Sequence, residues 1–245
     1  MASISTYVRD YGNKTFFEEP FNEIDNVVFS SLIYLNYEGI VPENRKYIRL
    51  EEAGIKYLEK YSYFEISKLG IAQKVSYQLL KQVVNTVRYK DVLMYNFKYI
   101  ADTDRQFGAV CFKVKKNFTY VAFEGTDNLL SGWKEDIELS YKFPVPAQTL
   151  AIEYINKCVR FYDKNVMVGG HSKGGNLALV SSMFAKKLVN KKIKKIYSND
   201  GPGLRKAEIE SDNYKRVRDR LIHIVPNYSY IGVLLRNDKF KVIKS

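Results

Sequence analysis

The stretch that decides the fold is Val166-Met167-Val168-Gly169-Gly170-His171-Ser172-Lys173-Gly174-Gly175-Asn176. Its first residues form an apolar run typical of a buried strand, and residues 174–189 have the apolar spacing of a helix. The pattern Gly170-x-Ser172-x-Gly174 therefore predicts a sharp strand-to-helix turn, because larger side chains at the two glycines would collide with neighbouring backbone. We predict that Ser172 lies above the sheet as a nucleophile, in a strained conformation.

Two other interpretations of this stretch remain open. It is also compatible with a glycine-rich turn that carries no chemistry, or with a phosphate-binding loop. The second lacks the Gly-x-x-x-x-Gly-Lys-Ser/Thr spacing. A serine that transfers an acyl group needs N–H donors for the developing oxyanion, and the amide after the nucleophile belongs to Lys173. The run from Val121 to Asp127 follows an earlier strand, where a second donor is expected.

The combination of motifs resembles a known family more specifically than any single motif does. Phe123-x-Gly125-Thr126, Trp133-x-x-Asp136 and Gly170-His171-Ser172-Lys173-Gly174 resemble the class 3 lipases of the α/β-hydrolase superfamily. The resemblance is closer still to the bacterial Mbeg-like family, a lipase-like domain of unknown function. That family shares Phe21-Asn22-Glu23-x-Asp25, the glycine turn through Asn176, and Asn199-Asp200-Gly201-Pro202-Gly203.

The resemblance implies roles for particular residues over positions 20–245. Thr126 and Lys173 would form the oxyanion hole, and Trp133 and Asp136 would support the loop that carries Thr126. Structural roles also remain open, as a core aromatic residue for Trp133 and as a helix cap for Asp136. Glu124 stands where lipases often have arginine, a departure that should not affect the chemistry.

Asp200 is the best candidate for the catalytic acid. It follows the strand predicted at 193–198, so its carboxylate would emerge at the same sheet edge as Ser172. Lipases usually place this acid one strand later, but residues 226–229 contain no carboxylate. The alternative role is in a turn, since Asp-Gly-Pro-Gly is also a strong turn sequence.

The sequence contains two histidines, and neither is well placed as the base. His171 is adjacent to the nucleophile, and His223 lies in the middle of the strand predicted at 221–225. In the chain order Ser, Asp, His, the base follows the final strand, and here the chain stops at Ser245 just after that strand. We therefore expect a shortened or variant form that folds but hydrolyses esters poorly, with His223 as the base if the topology differs.

We predict one α/β domain over residues 1–245, with a mainly parallel sheet covered by helices on both faces. Residues 20–90 would form a helical N-terminal part whose segment 51–90 serves as a lid, and residues 91–245 would form the sheet core. Asn22 is predicted to cap a first helix, with Asp25 in its first turn rather than as a catalytic acid. The remaining predicted elements are helices 51–61, 71–87, 146–161, 174–189 and 206–220, and strands 92–100, 108–114, 119–123, 165–168, 193–198, 221–225 and 239–243.

The net charge of +12 would suit an anionic partner. Many of the basic residues lie in the last third of the chain. They are interpreted either as an ordinary solvated surface or as a surface that binds anionic membranes weakly. No nucleic-acid-binding motif accompanies them. Cys111 and Cys158 are interpreted as buried thiols, no metal or cofactor is expected, and the absence of a leader pattern predicts a cytoplasmic protein.

The leading functional hypothesis is a serine hydrolase that cleaves a carboxylic ester of an acyl or lipid group through an acyl-enzyme on Ser172. The alternative is a lipase-like fold that is catalytically weak or inactive and serves as a binding module. Docking on anionic membranes is compatible with both.

Overall fold

A computed structural model describes residues 3–102, 105–126, 138–238 and 240–243. The first third is mainly helical, and the rest alternates strands with helices. In chain order the elements are α1 (Ile4–Tyr11), α2 (Glu23–Leu32), β1 (Ile48–Arg49), α3 (Leu50–Lys60), α4 (Tyr63–Ser67), α5 (Ile71–Val83), β2 (Leu93–Ala101), β3 (Gln106–Lys115), β4 (Phe118–Phe123), α6 (Pro146–Cys158), β5 (Asn165–His171), α7 (Lys173–Met183), α8 (Lys187–Asn190), β6 (Ile193–Asn199), α9 (Lys206–Ile209), α10 (Asp212–Lys215), a 3₁₀ turn (Arg218–Arg220), β7 (Leu221–Pro226) and β8 (Lys241–Ile243).

The described strands form one eight-stranded sheet in the order β1-β2-β3-β4-β5-β6-β7-β8. Strands β1 to β4 pair antiparallel, whereas β4 to β8 pair parallel. The last residues of β4, β5, β6 and β7 therefore meet at one edge of the sheet, which we call the carboxyl edge. The α/β fold with a mainly parallel sheet is as predicted, and its carboxyl edge is where such sheets place functional groups.

Helices cover both faces of this sheet. The N-terminal helices enclose an aromatic cluster in which Phe29 stacks on Phe112 with ring centroids 4.5 Å apart. On the opposite face, α6 and α7 pack against the sheet around Phe123 and Tyr154. Strands covered on both sides must be apolar in nearly every position, which is why the run from Val166 is continuous rather than alternating.

The start of α2 is fixed by a capping box and a buried ion pair. Asn22 Oδ1 accepts a hydrogen bond from the Ile24 amide at 2.9 Å, and the Asp25 carboxylate accepts one from the Asn22 amide at 3.0 Å. Asp25 also accepts from Arg88 Nε at 2.7 Å and from the Tyr89 hydroxyl at 2.6 Å, with both charged side chains fully buried. The helix-start role of Asp25 is therefore right, and its partner 63 residues away was not predicted.

Two helical predictions need correction, and the helices α1 and α4 were not predicted. The helix predicted over 174–189 is two helices, α7 and α8. Between them Lys186 is extended, with its amide donating to Asn156 Oδ1 at 2.8 Å. The helix predicted over 206–220 is broken as well, because α9 ends with Glu210 as its C-cap and Ser211 then caps α10 by accepting from the Tyr214 amide at 3.2 Å. Within the described ranges, no helix combines the length and the apolar character needed to cross a membrane.

Candidate nucleophile site

Ser172 lies between β5 and α7 with φ 55° and ψ −130°, a conformation that non-glycine residues rarely adopt. Such a residue costs on the order of 1–3 kcal/mol and persists only where its surroundings hold it. Its amide donates to the Asn199 carbonyl oxygen at 2.9 Å, so the end of β6 fixes the turn. The strained strand-to-helix turn predicted for Ser172 is therefore present.

The two motif glycines are where backbone approaches backbone. A Cβ on Gly170 would lie 2.4 Å from the carbonyl carbon of Gly174 and 2.5 Å from the carbonyl oxygen of Phe123. A Cβ on Gly174 would lie 2.3 Å from that same oxygen. Because these neighbours are backbone atoms, no side-chain movement could make room. Glycine at both positions is what allows α7 to start directly above the ends of β4 and β5.

A buried polar network beneath the turn was not predicted from the sequence. Asn199 Nδ2 donates to the Gly170 carbonyl oxygen at 3.1 Å, and Asn199 Oδ1 accepts from Asn26 Nδ2 at 2.8 Å. Asn26 Oδ1 in turn accepts from the Tyr120 hydroxyl at 2.6 Å. Asn199 therefore holds the turn from two sides, through its carbonyl oxygen on Ser172 and its side chain on Gly170, and ties it to α2.

The loop after β4 packs directly against the turn. A Cβ on Gly125 would lie 2.5 Å from the carbonyl oxygen of His171 and 2.1 Å from the Tyr34 hydroxyl. Thr126, the next residue, is half-buried and is the last one described before the gap. This places the predicted second oxyanion donor on a segment that contacts the turn. Trp133 and Asp136 lie outside the described residues, so their supporting roles stay predictions.

The backbone amide of Lys173 lies where the sequence predicts it, and its buried side chain makes contacts that the sequence did not predict. Its amide is at the first position of α7, where a helix N-terminus favours negative charge. Its side chain is fully buried and Nζ donates to the carbonyl oxygen of Gln106 at 3.0 Å and to Gln106 Oε1 at 2.6 Å. Gln106 Nε2 also donates to the buried Glu124 at 3.2 Å. These contacts anchor the start of α7 to the start of β3.

Asp200 follows β6 at the carboxyl edge, as predicted, with φ 53°. Its carboxylate accepts hydrogen bonds from the Ser229 hydroxyl and from the Gly232 amide, the latter at 3.1 Å. The adjacent Gly201 approaches the turn so closely that a Cβ there would lie 2.9 Å from the Ser172 carbonyl oxygen. The acid candidate is thus beside Ser172, and the hydrogen bonds described for its carboxylate are with residues 229 and 232.

The two histidines differ in their hydrogen bonds and exposure, and the protein lowers the pKa of both. His171 Nδ1 is 2.9 Å from the Tyr34 hydroxyl. His171 reaches solvent, yet desolvation by the surrounding protein lowers its pKa, against the opposing charge of Asp200. Burial also lowers the pKa of His223, while the Gly201 backbone, the Asp200 charge and the Asn237 side chain oppose that shift. His223 is buried in β7, and its Nε2 has no hydrogen-bond partner among the described residues.

A cavity of about 470 Å³ opens beside the turn, between the N-terminal helices and the carboxyl edge. Tyr34 and Glu124 line it, and these residues flank the contact between Gly125 and His171. Its other walls come from α3, α4, α5 and the end of β2. In the described part of the chain, no three His, Cys, Asp or Glu side chains lie together as metal ligands would.

A strained serine between a parallel strand and a helix, flanked by glycines in backbone contact, is the arrangement by which α/β hydrolases present a nucleophile. A family model described as Mbeg1-like matches residues 83–245, and the chain belongs to this family. The resemblance predicted from the motifs is thus confirmed, although the Phe21 to Asp25 motif lies outside the matched range. A comparison with curated proteins finds no match.

Solved lipase structures are among those similar to this chain. The crystal structure of M37 lipase has 13% identity and a TM-score of 0.48, covering 86% of this chain and 69% of that one. A fungal lipase–inhibitor complex has 13% identity and a TM-score of 0.41, with 60% and 59% covered. Extracellular lipase LipA from Serratia marcescens has 12% identity and a TM-score of 0.39, with 82% and 38% covered. These likenesses concern the fold alone.

Proposed function

We propose that this protein is a serine ester hydrolase of the lipase and esterase type, in which Ser172 accepts the acyl group of a carboxylic ester. The observation that carries the proposal is the conformation of Ser172, with φ 55° and ψ −130° between β5 and α7. A strained residue of this kind costs stability, and strain of this kind clusters at functional sites. A purely structural turn before a helix would be served equally well by a relaxed residue.

In the proposed reaction, Ser172 Oγ bonds to the ester carbonyl carbon and the bond from that carbon to the alcohol oxygen breaks. The serine proton leaves with the alcohol. Water then attacks the acyl-enzyme, which releases the acid and returns the proton to Ser172. The amides of Lys173 and Thr126 are proposed to stabilise the oxyanion in both steps, since one begins α7 and the other follows the loop packed on the turn.

The acid and base of this reaction must come from the residues around the turn. Asp200 is proposed as the acid because its loop touches the turn at Gly201. In the described part of the chain, no hydrogen bond joins the Ser172 hydroxyl to either histidine, and His171 is bonded to Tyr34 instead. We therefore propose that both steps are slow, because loss of one triad member costs several orders of magnitude in turnover. With an activated p-nitrophenyl ester the acyl-enzyme should accumulate, because p-nitrophenolate leaves without a proton from a general acid, whereas the water that hydrolyses the acyl-enzyme still needs a base.

The lack of a hydrogen bond between the Ser172 hydroxyl and a histidine, among the described residues, favours a second candidate function. If Ser172 is inert, the chain would be a lipase-like binding module that keeps the cavity beside the turn and has lost turnover. The two functions differ in whether Ser172 reacts covalently, which does not depend on knowing the substrate.

Reaction with a small fluorophosphonate probe tests the proposal. We expect one adduct per chain, located on the peptide containing Ser172 by mass spectrometry and abolished by Ser172→Ala. Ser5→Ala is the matched control, because Ser5 is an exposed hydroxyl on α1. A folded protein that forms no adduct would reject the hydrolase and favour the binding module.

A further inference from the structure

We infer that Gln106 is a positioning residue for the oxyanion hole, and that the buried side chain of Lys173 acts through it. The inference rests on the proposed function, in which the amides of Lys173 and Thr126 are the oxyanion donors. Gln106 begins β3 and is fully buried. It touches no substrate, and its role is to fix the direction in which the Thr126 amide points.

The side chain of Gln106 joins the two segments that carry the donors. Gln106 Oε1 accepts from Lys173 Nζ at 2.6 Å, and Gln106 Nε2 donates to the Gly125 carbonyl oxygen at 3.2 Å. These partners fix the orientation of the side-chain amide, because an ammonium group can only donate and a carbonyl oxygen can only accept. One buried side chain therefore contacts the residue after Ser172 and the residue before Thr126.

The Gly125 carbonyl and the Thr126 amide belong to the same peptide unit. Because a peptide unit is planar and trans, its C=O and its N–H point in opposite directions. The hydrogen bond from Gln106 Nε2 to the Gly125 carbonyl oxygen therefore directs the Thr126 N–H away from the buried Gln106. The oxyanion hole requires this orientation, because an N–H turned inward could not reach an ester at Ser172.

This peptide unit needs an anchor because a glycine precedes it. The close approach of the turn requires glycine, since a Cβ on Gly125 would lie 2.5 Å from the His171 carbonyl oxygen. Glycine also adopts both signs of φ with similar ease, so the peptides beside it turn readily. The preceding amide, that of Glu124, is held by the Gly108 carbonyl oxygen at 2.9 Å. Gln106 extends this hold by one peptide unit, to the one that carries the donor.

Lys173 places a positive charge at the other end of this chain of hydrogen bonds. Its side chain is fully buried, and Nζ also donates to the Gln106 carbonyl oxygen at 3.0 Å. Hydrogen bonds in series polarise one another, so the ammonium group strengthens Gln106 Nε2 as a donor and, through it, the Thr126 N–H. Glu124, only 3% exposed, also accepts from Nε2 at 3.2 Å and offsets the ammonium. The charge should therefore contribute less than the orientation.

The test compares p-nitrophenyl octanoate with its thiono analogue, in which sulfur replaces the carbonyl oxygen. Sulfur accepts hydrogen bonds weakly, so a lost oxyanion donor slows the oxygen ester more than the sulfur ester. The rate constant for acylation is read from the first turnover of p-nitrophenolate release. We expect Gln106→Met to slow the oxygen ester by roughly a hundredfold, and to lower the oxygen-to-sulfur rate ratio by at least about tenfold.

Gln148→Met is the matched control. Gln148 is also a buried glutamine with two hydrogen bonds, since its Oε1 accepts from the Val145 amide at 3.0 Å and its Nε2 donates to Asn176 Oδ1 at 2.8 Å. These bonds lie within α6 and between α6 and α7. We expect the two variants to lose similar stability in urea, with the rate ratio of Gln148→Met within about twofold of the wild type. A merely structural role for Gln106 would make the two variants alike.

Lys173→Met keeps the backbone amide and removes the ammonium group. We expect it to lower the rate ratio by about threefold to tenfold. In the double variant with Gln106→Met it should have no further effect, because the chain of hydrogen bonds is already broken there. Additive effects in the double variant would show that the lysine acts by another route.

The outcomes separate this inference from the proposed function. If Gln106→Met is acylated on Ser172 with an unchanged rate ratio, the positioning role is wrong and the hydrolase stands. If neither ester nor the fluorophosphonate probe reacts with the wild type, the proposed function itself fails.

A crystal structure of the wild-type fluorophosphonate adduct tests the same claim without a variant, should the variants not fold. We expect the phosphonyl oxygen within about 3.2 Å of the Thr126 amide, with Gln106 Nε2 still bound to the Gly125 carbonyl oxygen. A Gly125 carbonyl turned away from Gln106 in that adduct would overturn the inference.

Discussion

The two halves of the candidate site differ in how their proposed catalytic residue is placed. The nucleophile half, residues 169–176 with the loop after β4, is held by backbone contacts so close that glycine is required, and by Asn199 from below. The acid half, around Asp200 and residues 229–237, also contains a close backbone contact, since a Cβ on Gly203 would lie 2.3 Å from the Arg236 carbonyl oxygen. Among the described residues, however, the Asp200 carboxylate bonds to Ser229 and Gly232 and to neither histidine. If Ser172 is the nucleophile that we propose, this difference favours a site that keeps the geometry for acylation and turns over slowly.

The largest effect should come from filling the backbone contact in the nucleophile half. Gly174→Ala would place a Cβ 2.3 Å from the Phe123 carbonyl oxygen. We expect a loss of about 3 kcal/mol in the free energy of unfolding, measured by urea denaturation. Gly39→Ala is the control, since it has φ 74° but nothing within 4 Å, and should cost about 1 kcal/mol. Equal losses in the two variants would contradict the close-packed turn.

A smaller effect is expected in the acid half. Asp200→Asn should lower the free energy of unfolding by about 1 kcal/mol, because two charge-assisted hydrogen bonds become neutral ones. It should change the rate of fluorophosphonate labelling by less than about threefold, since no described contact carries the charge to Ser172. A hundredfold slower reaction would show that Asp200 acts through a base in acylation, and the two halves would then be a single unit.

How much of this contrast the sequence could predict depends on the range of the interactions. The turn at Ser172 was predictable because its glycines, strand and helix are contiguous. Other contacts of the site join residues that are far apart in the sequence. The separation is 29 positions for Asp200 and Ser229, 137 for Tyr34 and His171, and 173 for Asn26 and Asn199. No local pattern carries such information.

Other departures have similar causes. A Cβ on Gly169 would lie 2.1 Å from the Tyr120 hydroxyl. The local sequence does not predict this crowding, because Tyr120 belongs to another strand. The helix predicted over 206–220 kept its apolar spacing in the sequence, but the cap at Ser211 interrupts it. The segment predicted as a lid contributes the cavity walls at Tyr57, Tyr61 and Ile66, and whether it opens stays a proposal.

The pH dependence of stability gives a modest test of the buried base candidate. The pKa of His223 is lowered in the folded protein, mainly by burial. Below about pH 6.5 the unfolded chain therefore binds more protons at this position, and the folded state loses stability as the pH falls. His223→Asn should flatten the decline of the melting temperature between pH 7.5 and pH 5. An unchanged slope would mean that His223 is not the group responsible.

The smallest effect concerns the basic residues. The exposed Lys187, Lys191 and Lys194 lie before or at the start of β6, at the edge of the sheet opposite Ser172. The two edges are separated by the length of β5, which has seven residues and therefore spans about 23 Å. We expect weak binding to anionic vesicles that is lost in high salt, and is lost when these three lysines are changed to glutamate. Labelling of Ser172 should not change. Binding that persists in high salt would exclude attraction by charge.

The most direct test of the central claim is the time course of p-nitrophenyl octanoate cleavage, with mass spectrometry of the protein during the reaction. We predict a burst of one p-nitrophenolate per chain, a long-lived octanoyl adduct on the Ser172 peptide, and slow turnover afterwards. Ser172→Ala should show no burst and no adduct. Rapid steady turnover without a burst, abolished by His223→Ala, would contradict the account, because a working base would then be present in the acid half.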